Sequence, residues 1–271
     1  MRDARARRTE GLTILEGARL VDGALDRDAP IVCAYVGPDA PRACPGVVGR
    51  LRAAGVPVRE TVAGVIERVA STQTPQPVVA VARAGGIPLD ALARDGLLLV
   101  AVDLADPGNA GTLLRSAEAA GVVGVVFSGN SVDPFGPKAV RSSAGAVFGI
   151  PVAEGEDPVD VLDALRAHGR RRLATVTRGG ERYEGVDLTE PIALVLGGEA
   201  HGIRPAVRAH VDGELTVPMA GDAESLNVAV AGAVVAFEAA RQRRARTGTK
   251  RSSAARSRPS ESETDPEDGT P

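Results

Sequence analysis

The run LLLVAVDLADPGNAGTLLRSAEAAGVVGVVFSG, residues 97–129, decides how this chain is read. It opens on LLLVAVDL, a near-continuous apolar stretch of strand length. Without polar alternation, such a run fits a strand buried on both faces of a parallel sheet. The polar turn ADPGNAG follows. TLLRSAEAA then reads as a helix, closed by Gly121 as its C-cap. VVGVVFSG is the next strand. Strand, crossover helix and strand make a βαβ unit.

The alternation continues downstream. Helices are expected near Pro137–Ala144 and Pro158–Ala167, and strands at Leu173–Thr177 and Ile192–Leu196. A short helix near Ile203–Ala209, a strand at Glu214–Pro218 and a long helix from about Ser225 to Arg241 complete the pattern. Residues 97–243 therefore read as one α/β domain, a parallel sheet with helices on both faces. Upstream, residues 84–96 look like a linker with one helical turn. Residues 11–83 read as a small α/β unit. There LTILEGARLVDGAL gives a strand and a helix, IVCAYVG a strand, VVGRLRAAG a helix stopped by Gly55, and TPQPVVAVARA a strand. Residues 1–10, MRDARARRTE, form a basic start. From Arg244 to the end of the sequence the pattern turns polar, basic first and then acidic, and is expected to be disordered.

Composition narrows the function classes. The chain has 271 residues, 44 % of them hydrophobic, enough for one large or two smaller cores. A formal net charge of −3 argues neither for nor against a nucleic-acid partner. Of 32 basic residues only Lys138 and Lys250 are lysine. That bias suits bidentate phosphate contacts and equally reflects codon usage. Aromatics are 2 %, which disfavours modules that stack bases on aromatic platforms. Cys33 and Cys44 have no zinc spacing and make no disulfide framework, so no metal is expected. The charged start lacks the apolar run of a signal peptide, and no stretch approaches a membrane span. A cytoplasmic protein is expected.

Three polar segments carry candidate chemistry. In DPGNAGTLLRSAEAAG, residues 106–121, Gly108 and Gly111 allow a tight turn and close backbone approach. The helix start then offers free N–H groups to an anion at the carboxyl end of a strand. Asn109 and Arg115 are the polar groups there; an ordinary strand–helix turn with a surface arginine reads equally well. In VLGGEAHG, residues 195–202, a buried strand runs into Gly197-Gly198 and then Glu199. Paired glycines let backbone pass near a ligand, and a plain glycine turn is the competing reading. His201 reads as a loop residue. In TVPMAGDAESLNVAVAGAVVAFEAARQR, residues 216–243, Ser225 can cap the long helix, with Asn227 in its first turn. Asn227 either meets a partner or ligand or is an extra capping residue. The small residues that follow permit close packing, including against a second subunit. The segment lacks GxGxxG and the chain lacks GK[ST], so an ordinary dinucleotide-dependent oxidoreductase is disfavoured.

In this order the three segments resemble the SpoU/TrmH branch of the knotted RNA methyltransferases. The first family motif is similar to DPGNAGTLLRSAEAAG, with Asn109 and Arg115 at its Asn and Arg. The second is similar to LVLGGEAHGI, with Glu199 at its Glu, and the third to VPMAGDAESLNVAVA, with Ser225 and Asn227. PKAVRSSAGAVFGIPV resembles a further segment, placing Lys138 and Arg141 as substrate-binding residues. The small unit resembles the family's ribosomal-protein-like substrate-binding domain, although family members often begin with a longer basic helix than the one Arg5, Arg7 and Arg8 could form. The resemblance implies a C-terminal trefoil knot around residues 190–240. It also implies S-adenosylmethionine held by Gly197, Val217 and Leu226, and a homodimer that completes the site. The implied reaction is methyl transfer to a ribose 2′-hydroxyl of RNA, ribosomal RNA by preference, with transfer RNA or a non-catalytic RNA-binding role as alternatives. In that reaction Arg115 would clamp phosphate and stabilise the incipient alkoxide, Asn109 would orient Arg115 or the ribose, and Glu199 would pair with a cation.

Overall fold

The computed structural model describes residues 7, 9–72, 74–199 and 202–256, with side chains described through 246. The small unit runs β1 (Leu12–Glu16), α1 (Ala18–Leu25), β2 (Ile31–Val36), α2 (Ala40–Ala43), α3 (Pro45–Ala53), β3 (Val58–Glu60), α4 (Val65–Val69) and β4 (Val78–Arg83). Its sheet has the order β1-β4-β2-β3, antiparallel except for the β2–β3 pair. After a 3-10 turn at Leu89–Ala91 come β5 (Leu97–Val102), α5 (Pro107–Ala120), β6 (Gly124–Ser128), α6 (Pro137–Ser143) and β7 (Val152–Gly155). The chain continues through α7 (Pro158–Ala167), β8 (Arg171–Thr175), β9 (Glu181–Arg182), β10 (Ile192–Gly197), α8 (Pro205–Arg208), β11 (Gly213–Thr216) and α9 (Val228–Arg256).

The second sheet has the order β7-β6-β5-β10-β8-β11-β9, and every pairing in it is parallel. Every residue of β5 is buried, as an unalternating apolar run requires in a sheet covered on both faces. Alternate side chains divide between two cores. Leu97, Leu99 and Ala101 pack with Leu113, Leu114, Ala117 and the apolar side of α9. Leu98, Val100 and Val102 pack with Val161, Leu162 and Leu165 of α7. Truncating such a fully buried leucine costs about 2–5 kcal/mol. At the other margin, Arg172 of β8 holds Asp212, just before β11, through side-chain bonds of 2.9 and 2.6 Å. That hydrogen bond depresses the Asp212 carboxyl below its usual range, against a desolvation that alone would raise it.

Several boundaries differ from the sequence reading. β5 stops at Val102 rather than Leu104, because Asp103 turns left-handed at φ 55°. α5 starts at Pro107, so Asn109 lies in its first turn and not in a loop. Proline at the first helical position loses no intrahelical bond, and Asp106 caps the helix by accepting from the Asn109 N–H at 2.8 Å. α9 begins at Val228, with Asn227 and not Ser225 at its cap. It also runs on to Arg256, so residues 244–256 are helical where disorder was expected. A helix already nucleated by packing propagates one residue at a time, here even across Thr247, Gly248, Thr249, Ser252 and Ser253, which favour helix only weakly. The rest of that tail, 257–271, and His201, Arg5 and Arg8 lie outside the described residues. β7 and β9 are strands that the sequence reading did not name.

The two sheets are joined closely. Arg27, just past α1, grips Glu118 of α5 with two parallel bonds of 2.5 and 2.7 Å and also donates to the Gly23 carbonyl. Thr13 donates to the Phe135 carbonyl, and Arg7 pairs with Asp133 at 2.9 Å. Backbone meets backbone where α1 crosses the end of α6: a Cβ on Gly23 would lie 2.6 Å from the Ala144 carbonyl oxygen. The connecting segment is itself anchored, since Ile87 donates to the Val152 carbonyl on β7 at 2.8 Å. Replacing Arg27 with alanine should loosen this junction. Amide exchange in α1 and in residues 136–145 should rise, and the reversed pair Arg27→Glu with Glu118→Arg should restore much of the protection. Unchanged exchange in Arg27→Ala would mean that the remaining contacts hold the junction alone.

Candidate active site

Register sets the site. Val102 pairs with Gly197 on one side and Ser128 on the other, and Ser128 pairs with Gly155. Strands β7, β6, β5 and β10 therefore end in one row, and the loops leave from the sheet's carboxyl edge, where open α/β sheets bind ligands. β5 also lies where strand order changes direction. β6 and β7 run out to one side of it, and the later β10 enters on the other.

Three distant segments meet above that edge through one chain of hydrogen bonds. Asn109 donates its amide to Glu199 Oε1 at 2.7 Å. Its own oxygen accepts from Asn227 Nδ2 at 2.8 Å. The Asn227 oxygen takes the backbone N–H groups of Ala229 and Val230 at 2.9 and 3.3 Å. Asn227 thus caps α9 and ties it to α5 with the same side chain. The capping and partner-seeking readings of this residue are both true of it. Glu199 is bonded here to an amide and not to a cation, and Asn109 bridges Glu199 and Asn227 and not Arg115.

Beside this chain lies a cavity of about 360 Å³. Gly197, Val217 and Leu226 line it, together with Glu199, Ser225 and Asn227. Val176 and Met219 add apolar wall, and Thr175, Thr177 and Glu224 add polar groups that the sequence reading passed over. The volume falls in the ordinary range for small-molecule sites, about 300–1,000 Å³. Apolar walls beside the half-buried Gly197 at the strand end suit a nucleoside ligand.

The other candidates stand elsewhere. Arg115 is exposed on α5 outside the cavity lining, and among the described residues it makes no hydrogen bond or ion pair. Lys138 is exposed, its amine 4.0 Å from Asp106. Arg141 is engaged within the protein: it donates to Ser71 Oγ at 3.0 Å and pairs with Glu16 at 3.5 Å. These contacts join the small unit to α6, and the Arg141 side chain stays 37 % exposed. The glycines also have internal reasons. A Cβ on Gly111 would collide with Ser142, so this glycine admits α6 and not a ligand. A Cβ on Gly197 would strike the Gly202–Ile203 backbone. At the start of α5 the Asn109 N–H is likewise taken, by the Asp106 side chain. Among the described residues no cluster of three His, Cys, Asp or Glu is arranged for a metal ion, and no helix is long and apolar enough to cross a membrane.

A parallel sheet with loops joined over a cavity at its carboxyl edge defines an α/β ligand-binding domain. Comparison with known proteins is more specific: the chain belongs to the SpoU rRNA Methylase family, whose model matches residues 96–237. Residues 1–80 match the MRM3-like substrate binding domain. The chain is 40 % identical over 169 residues to the Bacillus subtilis 23S rRNA (guanosine(2553)-2′-O)-methyltransferase RlmP, covering 62 % of this chain and 66 % of that protein. It is 35 % identical over 178 residues to the 23S rRNA (uridine(2479)-2′-O)-methyltransferase of Streptomyces viridochromogenes, covering 63 % and 62 %. The matches thus span slightly under two thirds of those relatives. Among solved structures, the SpoU methyltransferase AviRb from Streptomyces viridochromogenes, in complex with the cofactor AdoMet, superposes with a TM-score of 0.78 at 27 % identity, covering 90 % of this chain and 95 % of that one.

The bond chain through Asn227 makes a direct prediction. Asn227→Ala removes the cap of α9 and should cost about 0.5–2 kcal/mol in urea unfolding. Asn227→Ser keeps an acceptor for the cap and should recover most of that, although it cannot reach Asn109 as an amide does. Equal destabilisation by both would show that the cap contributes little.

Proposed function

We propose that this chain transfers the methyl group of S-adenosylmethionine to a ribose 2′-hydroxyl of RNA, ribosomal RNA in the first instance. The observation that carries the reading is the Glu199–Asn109–Asn227 bond chain at the rim of the cavity holding Gly197, Val217 and Leu226. It gathers the polar residues of three family motifs into one place. Family membership and the printed activities of two relatives support the reaction class. The bound AdoMet of AviRb supports the cofactor. When bound, that cofactor would supply an electrophilic methyl on a sulfonium: as the ribose O–C bond forms the S–C bond breaks, a neutral thioether is left, and the hydroxyl proton is released to water. The family also supports a trefoil knot in the 190–240 segment.

The protein's task is to raise the nucleophilicity of a very weakly acidic hydroxyl. Preorganised donors aimed at the oxygen where charge develops are the effective means. We assign this to Arg115, and three features support it: it is exposed, it has no bonded partner among the described residues, and it lies on the helix that Asn109 ties to the cavity rim. Its fork suits an RNA phosphate and the developing alkoxide together, and a guanidinium stays charged throughout. Asn109 and Asn227 set the distance between α5 and the cofactor cavity, and Ser225 lines the wall from which the nucleotide enters. Residues 11–83 act as the substrate-binding domain, residues 84–96 as its connection, and residues 97–243 as the methyltransferase domain. The protein works in the cytoplasm.

A homodimer completes the site. On α9, Val230 and Phe237 are 44 % and 47 % exposed and lie two turns apart on one helical face. Their shared face supports a protein contact there. Phe237→Glu should shift the mass measured by light scattering from two chains to one and reduce methyl transfer with it. A dimer unaffected by this change would place the interface on another face.

Arg115→Ala should abolish transfer of labelled methyl to RNA while leaving cofactor affinity within about twofold, and Arg115→Lys should lose most activity because it lacks the bidentate fork. Equal loss of cofactor binding and turnover would sink this division of labour. Mapping 2′-O-methyl sites in total RNA with and without the protein identifies the target. A map with no change, despite cofactor binding, would favour a non-catalytic RNA-binding role.

A further inference from the structure

We infer that Asp103 is a positioning residue for the cofactor cavity, a keystone that fixes the second loop against the first. The inference rests on the S-adenosylmethionine reading of the cavity for its main assay. It comes from register. Val102, Ser128 and Gly197 end three neighbouring strands in one row, so the next residue of each, Asp103, Gly129 and Gly198, stands one step beyond the sheet edge. Asp103 occupies the middle place and is in contact with both neighbours.

The contacts are specific. A Cβ on Gly129 would overlap Asp103 Oδ1, and a Cβ on Gly198 would overlap the Asp103 carbonyl oxygen. Both flanking positions thus leave room for Asp103 by being glycine, and Gly129 in addition takes a left-handed φ of 65°. Asp103 Oδ1 accepts from the Asn130 backbone N–H at 2.9 Å. Its other oxygen pairs with Arg204 Nε at 3.0 Å. The Asp103 N–H donates to the Ser128 carbonyl at 3.1 Å. One side chain thus ties Asn130, after β6, and Arg204, just before α8, to the end of β5.

The backbone of Asp103 is left-handed, at φ 55°. Aspartate tolerates that region better than most residues but glycine fits it more easily. A non-glycine residue kept there needs its side chain, and the contacts above say why. The consequence reaches the site in one step. Gly198 rests on the Asp103 carbonyl, and the next residue, Glu199, receives the Asn109 amide at the cavity rim. Arg204 pins the segment before α8, and Gly202, two residues earlier, lines the cavity and donates its N–H to the Gly198 carbonyl at 3.0 Å.

The discriminating variant is Asp103→Gly, which relieves the backbone and removes only the carboxylate. Calorimetric titration with S-adenosylmethionine should show affinity reduced about tenfold, the loss of roughly one charge-assisted bond set. Asp103→Asn keeps the acceptor for Asn130 but not the charge for Arg204 and should fall between. Arg204→Gln, an exposed change that leaves the core untouched, should match Asp103→Asn. Amide exchange over residues 197–204 should rise in all three, a readout that needs neither cofactor nor RNA. Wild-type affinity and unchanged exchange in Asp103→Gly would overturn the inference. If the wild type binds no S-adenosylmethionine, the functional reading fails, and the exchange arm alone decides the role of Asp103.

Discussion

A parallel sheet confines its chemistry to one edge, because every strand delivers its loop to the same side. In this chain the constraint is tighter than usual, since β7, β6, β5 and β10 end in a single row. Loops launched from one row start at one height, so side chains far apart in sequence meet without long excursions. Asn109, Glu199 and Asn227 reach each other at ordinary hydrogen-bond distances for that reason. The apolar cores on the two faces hold the row level. The polar contacts above it then need only small adjustments.

Much of this was legible in the sequence, and the parts that were not have physical causes. LLLVAVDL could be read as a buried parallel strand because burial on both faces removes polar alternation. Its true end was hidden, since Asp103 and Leu104 look like continuation until the left-handed turn is seen. The polar motif residues stood out by type and order, and hydrogen bonds join three of them. Their partners could not be read, because partnership across ninety or more residues depends on register. The glycines were misread in detail. Gly111 and Gly198 suggested backbone approaching a ligand, whereas the backbone that approaches them is the protein's own.

Short, polar elements escaped for a different reason. β7 has four residues and ends in Glu-Gly, and β9 has two charged residues. Neither has enough apolar surface to signal burial, and each forms by joining an existing neighbour. The reverse holds for α9, which extends past residue 243 without an apolar face. Arg141 stood out by type and motif, but its contacts with Glu16 and Ser71 of the small unit could not be read from the sequence.

The segment between the two sheets has a further effect. β7 is an outer strand of the seven-stranded sheet, with one row of backbone groups facing away from its neighbour. Residues 86 and 87 lie along that margin, and the Ile87 N–H takes up the Val152 carbonyl. An open strand margin is a template for pairing with strands of other molecules. Covering this one with the chain's own connection blunts that aggregation hazard along the β7 margin.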